Sequence, residues 1–405
     1  MVSKSRLIGM ENISLFRHRL FLFFTGFVYL ILIFARDWKA VNRIGADTGY
    51  TFVPEAVTGD FTILFRPFIE YYELGSRIAA EIVALFPIRY HAVASSTVVN
   101  LIWVLLALFI FAVIAAETTN ALLPFFSGLA LILNPYAMES SLGNIGTVKF
   151  ALTACIAIAF CSRHAIKKYP KVITVLTLVT GLTQPILLVT VIPLFWLLHT
   201  SDQIQRRHVV ILLFVVFLTL MIQLSGVGLT DVFHGKGEAA VKSLWPGMGL
   251  FWYSGIFFPA FFSITLMLIN FTKRFKTTKF KEFRDLLCVS TISLSATCYF
   301  LGGIADRYFV APMTLAGLSG LLLLHDILPI YAKNKKIIVV FASGIALIPT
   351  VKWFEAGWYL TSGPTWTSEV DRAKLICAER PNSVVELFVS PNSSAVVSCE
   401  RLKSD

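Results

Sequence analysis

The sequence predicts an all-α fold, a polytopic bundle of transmembrane helices. Of its 405 residues, 56% are hydrophobic and only 15% are charged, a balance typical of proteins whose solvent is lipid. Apolar stretches recur along almost the whole chain, many close to the roughly 20 residues that a helix needs to cross a bilayer core about 30 Å thick. These stretches lack the alternating polarity of an outer-membrane barrel. The net charge of +11 is carried by short loops, where it indicates topology rather than nucleic-acid binding.

The first apolar segment, 20–35, predicts a membrane helix that is retained in the protein. Four basic residues precede it and indicate a cytoplasmic N-terminus: Lys4, Arg6, Arg17 and Arg19. No small-residue cleavage site follows it, because the chain continues into the bulky polar residues 36–39. We therefore expect an anchor helix and not a signal peptide.

A polar stretch, 36–91, follows and is predicted to form the first outer loop. It contains an amphipathic segment, 74–86, which is too short to cross a bilayer and carries Arg77 and Glu81. We expect this segment to lie at the membrane interface.

Ten further apolar segments bring the predicted number of spans to about eleven. They are 92–116, 121–133, 148–161, 172–182, 185–198, 209–224, 249–270, 286–302, 309–328 and 337–354. Alternation from a cytoplasmic N-terminus places the basic clusters at 163–171, 206–207, 273–284 and 333–336 inside, as the positive-inside rule requires. The two short segments on either side of Gln184 and Pro185 are alternatively one broken helix. The expected domains are a membrane domain, 1–354, and an extracytoplasmic tail, 355–405.

Two cysteines in the tail, Cys377 and Cys399, flank two alternating stretches, 384–389 and 395–398, that predict a small hairpin. A disulfide between them would close a loop of about 23 residues and stabilise it by roughly 3 kcal/mol. Such a bond requires an oxidising compartment, in agreement with an outward tail. The alternative is two unpaired thiols in a reduced tail. The other four cysteines lie in apolar segments and are interpreted as small buried hydrophobic residues.

Candidate functional residues gather in three places that the predicted topology puts on the outer side. The first outer loop carries three acids, Asp37, Asp47 and Asp60, each of which could alternatively be a solvated loop acid. Lys149 begins a span, and Glu139 and Asn144 precede it in the same loop. A lysine at the membrane edge is a functional candidate unless its side chain snorkels to water.

The third place is the turn around Arg307 and Tyr308, between two late spans. The guanidinium of Arg307 suits phosphate and the phenol of Tyr308 suits interface depth, although an ion pair between Asp306 and Arg307 is the alternative. The sequence has none of the common nucleotide, metal or serine-hydrolase motifs, and it predicts no metal and no certain cofactor.

In the order and sidedness of these motifs, the sequence resembles the GT-C type of membrane glycosyltransferase. The resemblance is closest to bacterial enzymes that take a sugar from a polyprenyl-phosphate carrier and decorate lipopolysaccharide O-antigen with glucose or a related hexose. Four features carry it: an acidic first loop, the stretch 65–80 before an interfacial helix, Asn134-Pro-Tyr-Ala-Met-Glu139 with Asn144, and Arg307-Tyr-Phe-Val-Ala-Pro312. The chain departs from the family in lacking a paired-acid signature in its first loop and a large soluble outer domain.

The resemblance implies an inverting transfer on the outer side of the bacterial cytoplasmic membrane. An outer-loop carboxylate would act as general base, Asp37 first and Asp60 second, while Asp47 sits between glycines that are typical of a turn. Arg307, Lys149 and Tyr308 would bind the donor phosphate, with Glu139, Asn144, Arg66 and Arg77 as supporting residues of the substrate site. The implied partners are the polyprenyl-phosphate sugar, a glycan acceptor, the bilayer, a lipid-carrier flippase and a polyprenyl-phosphate sugar synthase.

Three other functions stay open at this point. A flippase or transporter of lipid-linked sugar needs a similar phosphate site, but it would be expected to show internal repeats with matching broken helices. A polysaccharide polymerase would be expected to carry a large late outer loop. A structural membrane protein would leave the clustered outer polar residues without a purpose.

Overall fold

The computed structural model describes residues 4–45, 48–56, 61–67, 72–118, 120–134, 136, 144–226, 250–270, 280–300, 306–330, 363–389 and 393–403. The protein is mostly helical, as predicted. Its main helices are α1 (Lys4–Asp37), α2 (Val53–Ala56), α3 (Leu74–Ala84), α4 (His91–Glu117), α5 (Leu122–Ile132), α6 (Val148–Cys161), α7 (Arg163–Lys168), α8 (Pro170–Gly181), α9 (Ile192–Thr200), α10 (Gln203–Gly226), α11 (Leu250–Asn270), α12 (Lys281–Phe300), α13 (Val310–Ile330) and, in the tail, α14 (Trp366–Glu379) and α15 (Cys399–Lys403). The predicted last span, 337–354, and the loop 227–245 lie outside the described residues.

Four helical stretches among the described residues are long and apolar enough to cross a membrane: Leu20–Asp37, Ile88–Glu117, Gln203–Ser225 and Val310–Ile327. Five shorter apolar helical stretches lie among them: Leu122–Ile132, Ile145–Cys161, Pro170–Gly181, Pro185–Thr200 and Phe258–Ile269. All of these stretches except Phe258–Ile269 contribute side chains to one continuous buried core. The chain is therefore a membrane protein.

The helices follow the predicted segments, with two differences that matter for the site. Helix α1 continues to Asp37, two residues beyond the predicted end, so Asp37 is a helical residue and not a loop residue. The predicted span 185–198 is a 3₁₀ segment, Pro185–Val191, that continues into α9. Pro185 has no backbone N–H, and the chain before it is extended at Gln184, so the helix α8 cannot continue through this point.

Loops that the sequence predicts to be cytoplasmic contact one another at one end of the bundle. Arg163 pairs with Glu282 at 2.7 Å, and Ser162 donates a hydrogen bond to Glu117 at 2.5 Å. Lys167 lies 3.5 Å from Asp202. Deeper at this end, fully buried Arg284 pairs with Asp326. These contacts join every described loop that alternation assigns to the inner side.

Loops that the sequence predicts to face outward meet in the same way at the other end. The backbone N–H of Leu74 donates to the carbonyl of Leu182 at 3.1 Å, and Tyr72 N–H donates to Gln223 at 2.8 Å. Asn134 donates to the carbonyl of Val310 at 2.8 Å. The candidate residues of the three predicted clusters that the structure describes all belong to this end.

The described part of the tail is a small unit of one helix and a hairpin. Strand β1 (Val384–Val389) pairs antiparallel with β2 (Ser393–Ser398); β1 matches the predicted stretch, and β2 begins two residues before the predicted 395–398. Glu369 of α14 accepts hydrogen bonds from Arg372 and from the N–H of Phe388, and the bond from Arg372 leads in lowering the pKa of that carboxyl. Cys377 is paired with Cys399, their Cα atoms 5.2 Å apart.

This tail unit packs on the segment between α1 and α4, which the sequence predicts to be the first outer loop. The backbone N–H of Trp366 donates to the carbonyl of Asn42 at 2.8 Å, and its indole N–H donates to the carbonyl of Ile88 at 2.7 Å. A Cβ added at Gly49 would lie 2.7 Å from Val389, so only glycine allows this approach. Trp366 is 4% exposed and therefore packs between the tail and this segment.

We expect the disulfide to hold this tail unit together. Cys377→Ser or Cys399→Ser should destabilise it by about 3 kcal/mol, because the unfolded tail regains the entropy of a closed loop. The expected readout is lower abundance and faster proteolysis between 363 and 403, whereas Cys298→Ser, in the buried core, should leave tail proteolysis unchanged. Thiol labelling of denatured, unreduced protein that finds two free tail thiols would contradict the bond.

Candidate functional site

Asp37 is a buried carboxylate at the C-terminal end of α1. Its residue is 2% exposed, and its Oδ2 accepts hydrogen bonds from Ser96 and, at 2.9 Å, from Asn100. These donors lie four residues apart on α4, so they present one face to Asp37. The other oxygen, Oδ1, is buried and accepts no hydrogen bond in the part of the chain described here. One carboxylate oxygen is thus held by two donors, and the other oxygen accepts no hydrogen bond from the described residues.

The neighbouring Arg36 fixes the end of α1 to the bundle. Its guanidinium donates to the carbonyls of Ile132 at 2.9 Å and Asn134 at 3.1 Å, at the C-terminal end of α5. A cation at this end of a helix is favourable, because the last carbonyls carry the negative end of the helix dipole. Asn134, from the motif quoted for the resemblance, in turn donates to Thr314 at 2.9 Å. Asp37 is therefore held where α1, α4, α5 and α13 meet.

Lys149 is buried, so the alternative of a snorkelling side chain is wrong. It forms an ion pair with Glu73, whose side chain is 1% exposed. Glu73 also accepts a hydrogen bond from Ser76 at 2.7 Å. Two charges removed from water require such mutual compensation, since either one alone would be costly at this depth. Sequence reasoning did not single out Glu73, because its partner lies 76 residues away in the chain.

Arg77 of α3 is buried and forms an ion pair with the partly exposed Glu55. Its Nη1 lies 2.6 Å from Glu55, and its guanidinium carbon lies 5.9 Å from the centre of the Phe52 ring. Arg66 is 3.9 Å from the other oxygen of Glu55 and is half exposed. The predicted supporting residues Arg66 and Arg77 are thus brought together by one carboxylate that the sequence analysis did not name.

Asn144 has a structural role. Its side-chain oxygen accepts from the N–H of Gly146 and from the hydroxyl of Thr48, both at 3.0 Å. It therefore begins the turn Ile145–Thr147 that precedes Lys149 and ties that turn to the first outer loop. These two hydrogen bonds are sufficient to explain why an asparagine occupies this position.

Tyr308 lies beside the α6 segment that carries Lys149. Its ring meets Phe150 edge to face, with centres 5.1 Å apart. Thr153, one turn further along α6, donates to Gln184 at 3.2 Å, at the break before Pro185. Phe150, Thr153, Gln184 and Tyr308 line a small cleft between α6 and α13.

Several predicted residues lie outside this description. Asp47, Asp60 and Glu139 belong to stretches that the structure does not describe, and for Arg307 only the backbone, in the turn Asp306–Phe309, is described. Their assigned roles stay predictions. Among the described candidates, the structure joins Arg66 with Arg77, and through Phe150 it brings Tyr308 near Lys149.

The arrangement combines an oriented carboxylate with buried cations at one end of a membrane bundle. A carboxylate with one unengaged oxygen can accept a proton from a hydroxyl. Arginine and lysine can stabilise a phosphate, and in a low-dielectric site their effect is larger than in water. No family model matches the sequence, and a search of curated proteins found no relative.

Proposed function

We propose that the protein is a membrane glycosyltransferase that moves a sugar from a polyprenyl-phosphate carrier to a glycan. The proposal is supported above all by Asp37, a carboxylate that is buried, oriented by two donors and left with one oxygen for a substrate. A carboxylate placed only for packing would be expected to satisfy both oxygens. The resemblance to the O-antigen-modifying enzymes extends the proposal to glucose or a related hexose as the sugar and lipopolysaccharide as the acceptor.

In the proposed reaction, Asp37 takes the proton of an acceptor hydroxyl while that oxygen attacks the anomeric carbon of the donor sugar. The new carbon–oxygen bond forms as the bond from the anomeric carbon to the carrier phosphate breaks. The bonding electrons leave with the phosphate, which departs as polyprenyl phosphate. Arg307, Lys149 and the arginines of the first outer loop would stabilise this charge, with Tyr308 at the edge of the same region.

The proposal is tested by a transfer assay on membranes that contain the protein. A polyprenyl-phosphate hexose labelled in the sugar is added together with O-antigen lipopolysaccharide, and membranes without the protein serve as the control. We expect label in the glycan at a rate at least about 10²-fold above the control, the order expected from general-base help alone. Label that crosses the membrane but stays on the lipid would instead indicate a flippase. Incorporation of a preassembled oligosaccharide, rather than a single sugar, would indicate a polymerase.

We further propose eleven spans in a bacterial cytoplasmic membrane, with the N-terminus inside and the tail outside. The contacts of Trp366 with the first outer loop support an odd number of crossings, since both would then lie on one side. An alkaline phosphatase fused after Asp405 should be active, and a fluorescent protein inserted in the loop 273–279 should fluoresce. An inactive phosphatase at Asp405, with a fluorescent fusion there instead, would contradict this topology.

A further inference from the structure

Helix α3 has an unusual distribution of polarity. The side that packs on the bundle carries a buried cation, Arg77, while the exposed side carries Ile78, Ile82 and Leu85. These three apolar residues are spaced by four and three and therefore lie on one face. A helix that exposes its apolar face and buries its charge is suited to lipid surroundings, because in water the polarity would be reversed.

Arg77 has hydrogen-bonding capacity that the described residues do not use. Its residue is 2% exposed, and Glu55 takes only Nη1. The remaining donors, Nε and Nη2, are buried and have no hydrogen-bond partner among the described residues. Buried donors are seldom left unpaired, so these two require an explanation.

The two unused donors share one edge of the planar guanidinium. Parallel N–H groups on this edge match two oxygens of a phosphate or a carboxylate, which is the bidentate geometry that arginine favours. Glu55 holds the opposite part of the group, and the Phe52 ring lies near its face. The orientation of the edge is therefore fixed before any ligand arrives.

The charge around Arg77 also favours an anion. Among the described residues, three cations, Arg66, Arg77 and Lys149, contact two carboxylates, Glu55 and Glu73. An anionic ligand would balance the cation that is in excess among these five groups.

We propose that Arg77 binds the phosphate of a lipid-linked ligand through its Nε–Nη2 edge, with the lipid chain along Ile78, Ile82 and Leu85. This inference rests on the proposed function for the identity of the lipid, a polyprenyl phosphate. It makes Arg77 a direct ligand of the donor, in place of a supporting residue, while Lys149, paired with Glu73, keeps its proposed role at the leaving phosphate.

The test measures equilibrium binding of a radiolabelled polyprenyl phosphate, without sugar, to the purified full-length protein in nanodiscs. Arg77→Lys keeps the charge beside Glu55 but loses the fork, so we expect its Kd to rise at least about tenfold, the loss expected for a hydrogen bond to a charged group. Arg89→Lys is the matched control, since Arg89 is half exposed and pairs with Asp371 of the tail. Its Kd should stay within about twofold of the parent value, as for an exposed ion pair.

Two competitors identify what is recognised. Unlabelled polyprenol, which lacks phosphate, and inorganic phosphate, which lacks the chain, should both compete far less well than unlabelled polyprenyl phosphate. Competition by polyprenol at equal concentration would overturn the phosphate contact. Equal competition by inorganic phosphate would overturn the contact with the lipid chain.

A second variant guards against loss of folding. Arg77→Gln combined with Glu55→Gln removes both charges of this ion pair together, so it should fold and show no measurable binding. Wild-type affinity in this variant or in Arg77→Lys would overturn the site. If the protein binds polyprenyl phosphate through Arg77 but transfers no sugar, the binding site is supported and the proposed transferase activity is wrong. If Arg77→Lys transfers sugar and binds polyprenyl phosphate normally, the proposed transferase activity stands and the proposed Arg77 site is wrong.

Discussion

Asp37→Asn is expected to lower sugar transfer by about 10²- to 10⁴-fold, the largest effect of any single change considered for this protein. Asparagine keeps the size of the side chain and can still accept hydrogen bonds from Ser96 and Asn100 through its amide oxygen. What it loses is the capacity to take a proton. Membranes with equal amounts of each protein should therefore bind the labelled polyprenyl-phosphate sugar equally and differ in transfer.

The matched controls separate a base from a structural acid. Asp202→Asn changes an exposed carboxylate at the other end of the bundle and should leave transfer unchanged. Ser96→Ala removes one donor to Asp37 and should give a smaller loss than Asp37→Asn, because the carboxylate remains but is less well oriented. Asp60→Asn and Asp47→Asn complete the set. An inactive, well-folded Asp60→Asn beside a fully active Asp37→Asn would move the base to Asp60, and full activity in all three variants would remove the outer-loop carboxylate from the mechanism.

The sequence allowed most of the helices to be predicted, because their signal is local. Helix α6 spans the predicted residues 148–161, where every side chain is apolar except Lys149 and, one turn further on, Thr153. The hairpin followed in the same way from alternation in Val384–Val389. Such patterns depend only on residues a few positions apart. The end of α1 was misplaced by two residues, since a charged pair, Arg36 and Asp37, normally ends an apolar pattern and here is compensated by other helices.

The site was predicted less completely, because its contacts join distant parts of the chain. Asp37 and Lys149 were selected for their position at the membrane edge, yet their partners Asn100 and Glu73 were not. A usable signal existed for the first of these, since Ser96 and Asn100 are polar residues one turn apart in an otherwise apolar span. No comparable signal marked Glu73, which lies in a polar stretch with several other acids. Its importance follows only from burial, which the sequence does not give.

The buried pair of Lys149 and Glu73 provides the second large expected effect, on stability. Lys149→Met should destabilise the protein by about 3–5 kcal/mol, because it leaves the Glu73 carboxylate buried without its ion-pair partner. The change should appear as a lower midpoint of thermal unfolding in detergent and as lower abundance in the membrane. Lys171→Met, at an exposed lysine of α8, is the matched control and should shift the midpoint little.

The double variant Lys149→Met with Glu73→Gln decides whether the lysine also acts on the donor. Glutamine keeps an acceptor for the Ser76 hydroxyl and carries no charge. The two changes together should therefore recover most of the lost stability, because a buried ion pair and its neutral replacement often differ little in free energy. If Lys149 only holds α3 against α6, the recovered protein should transfer sugar normally. If it also stabilises the leaving phosphate, stability should return without transfer, and the shortfall should be larger in kcat than in donor binding, since that charge develops in the transition state. We expect the second result, and a stable double variant with normal kcat would assign Lys149 to structure alone.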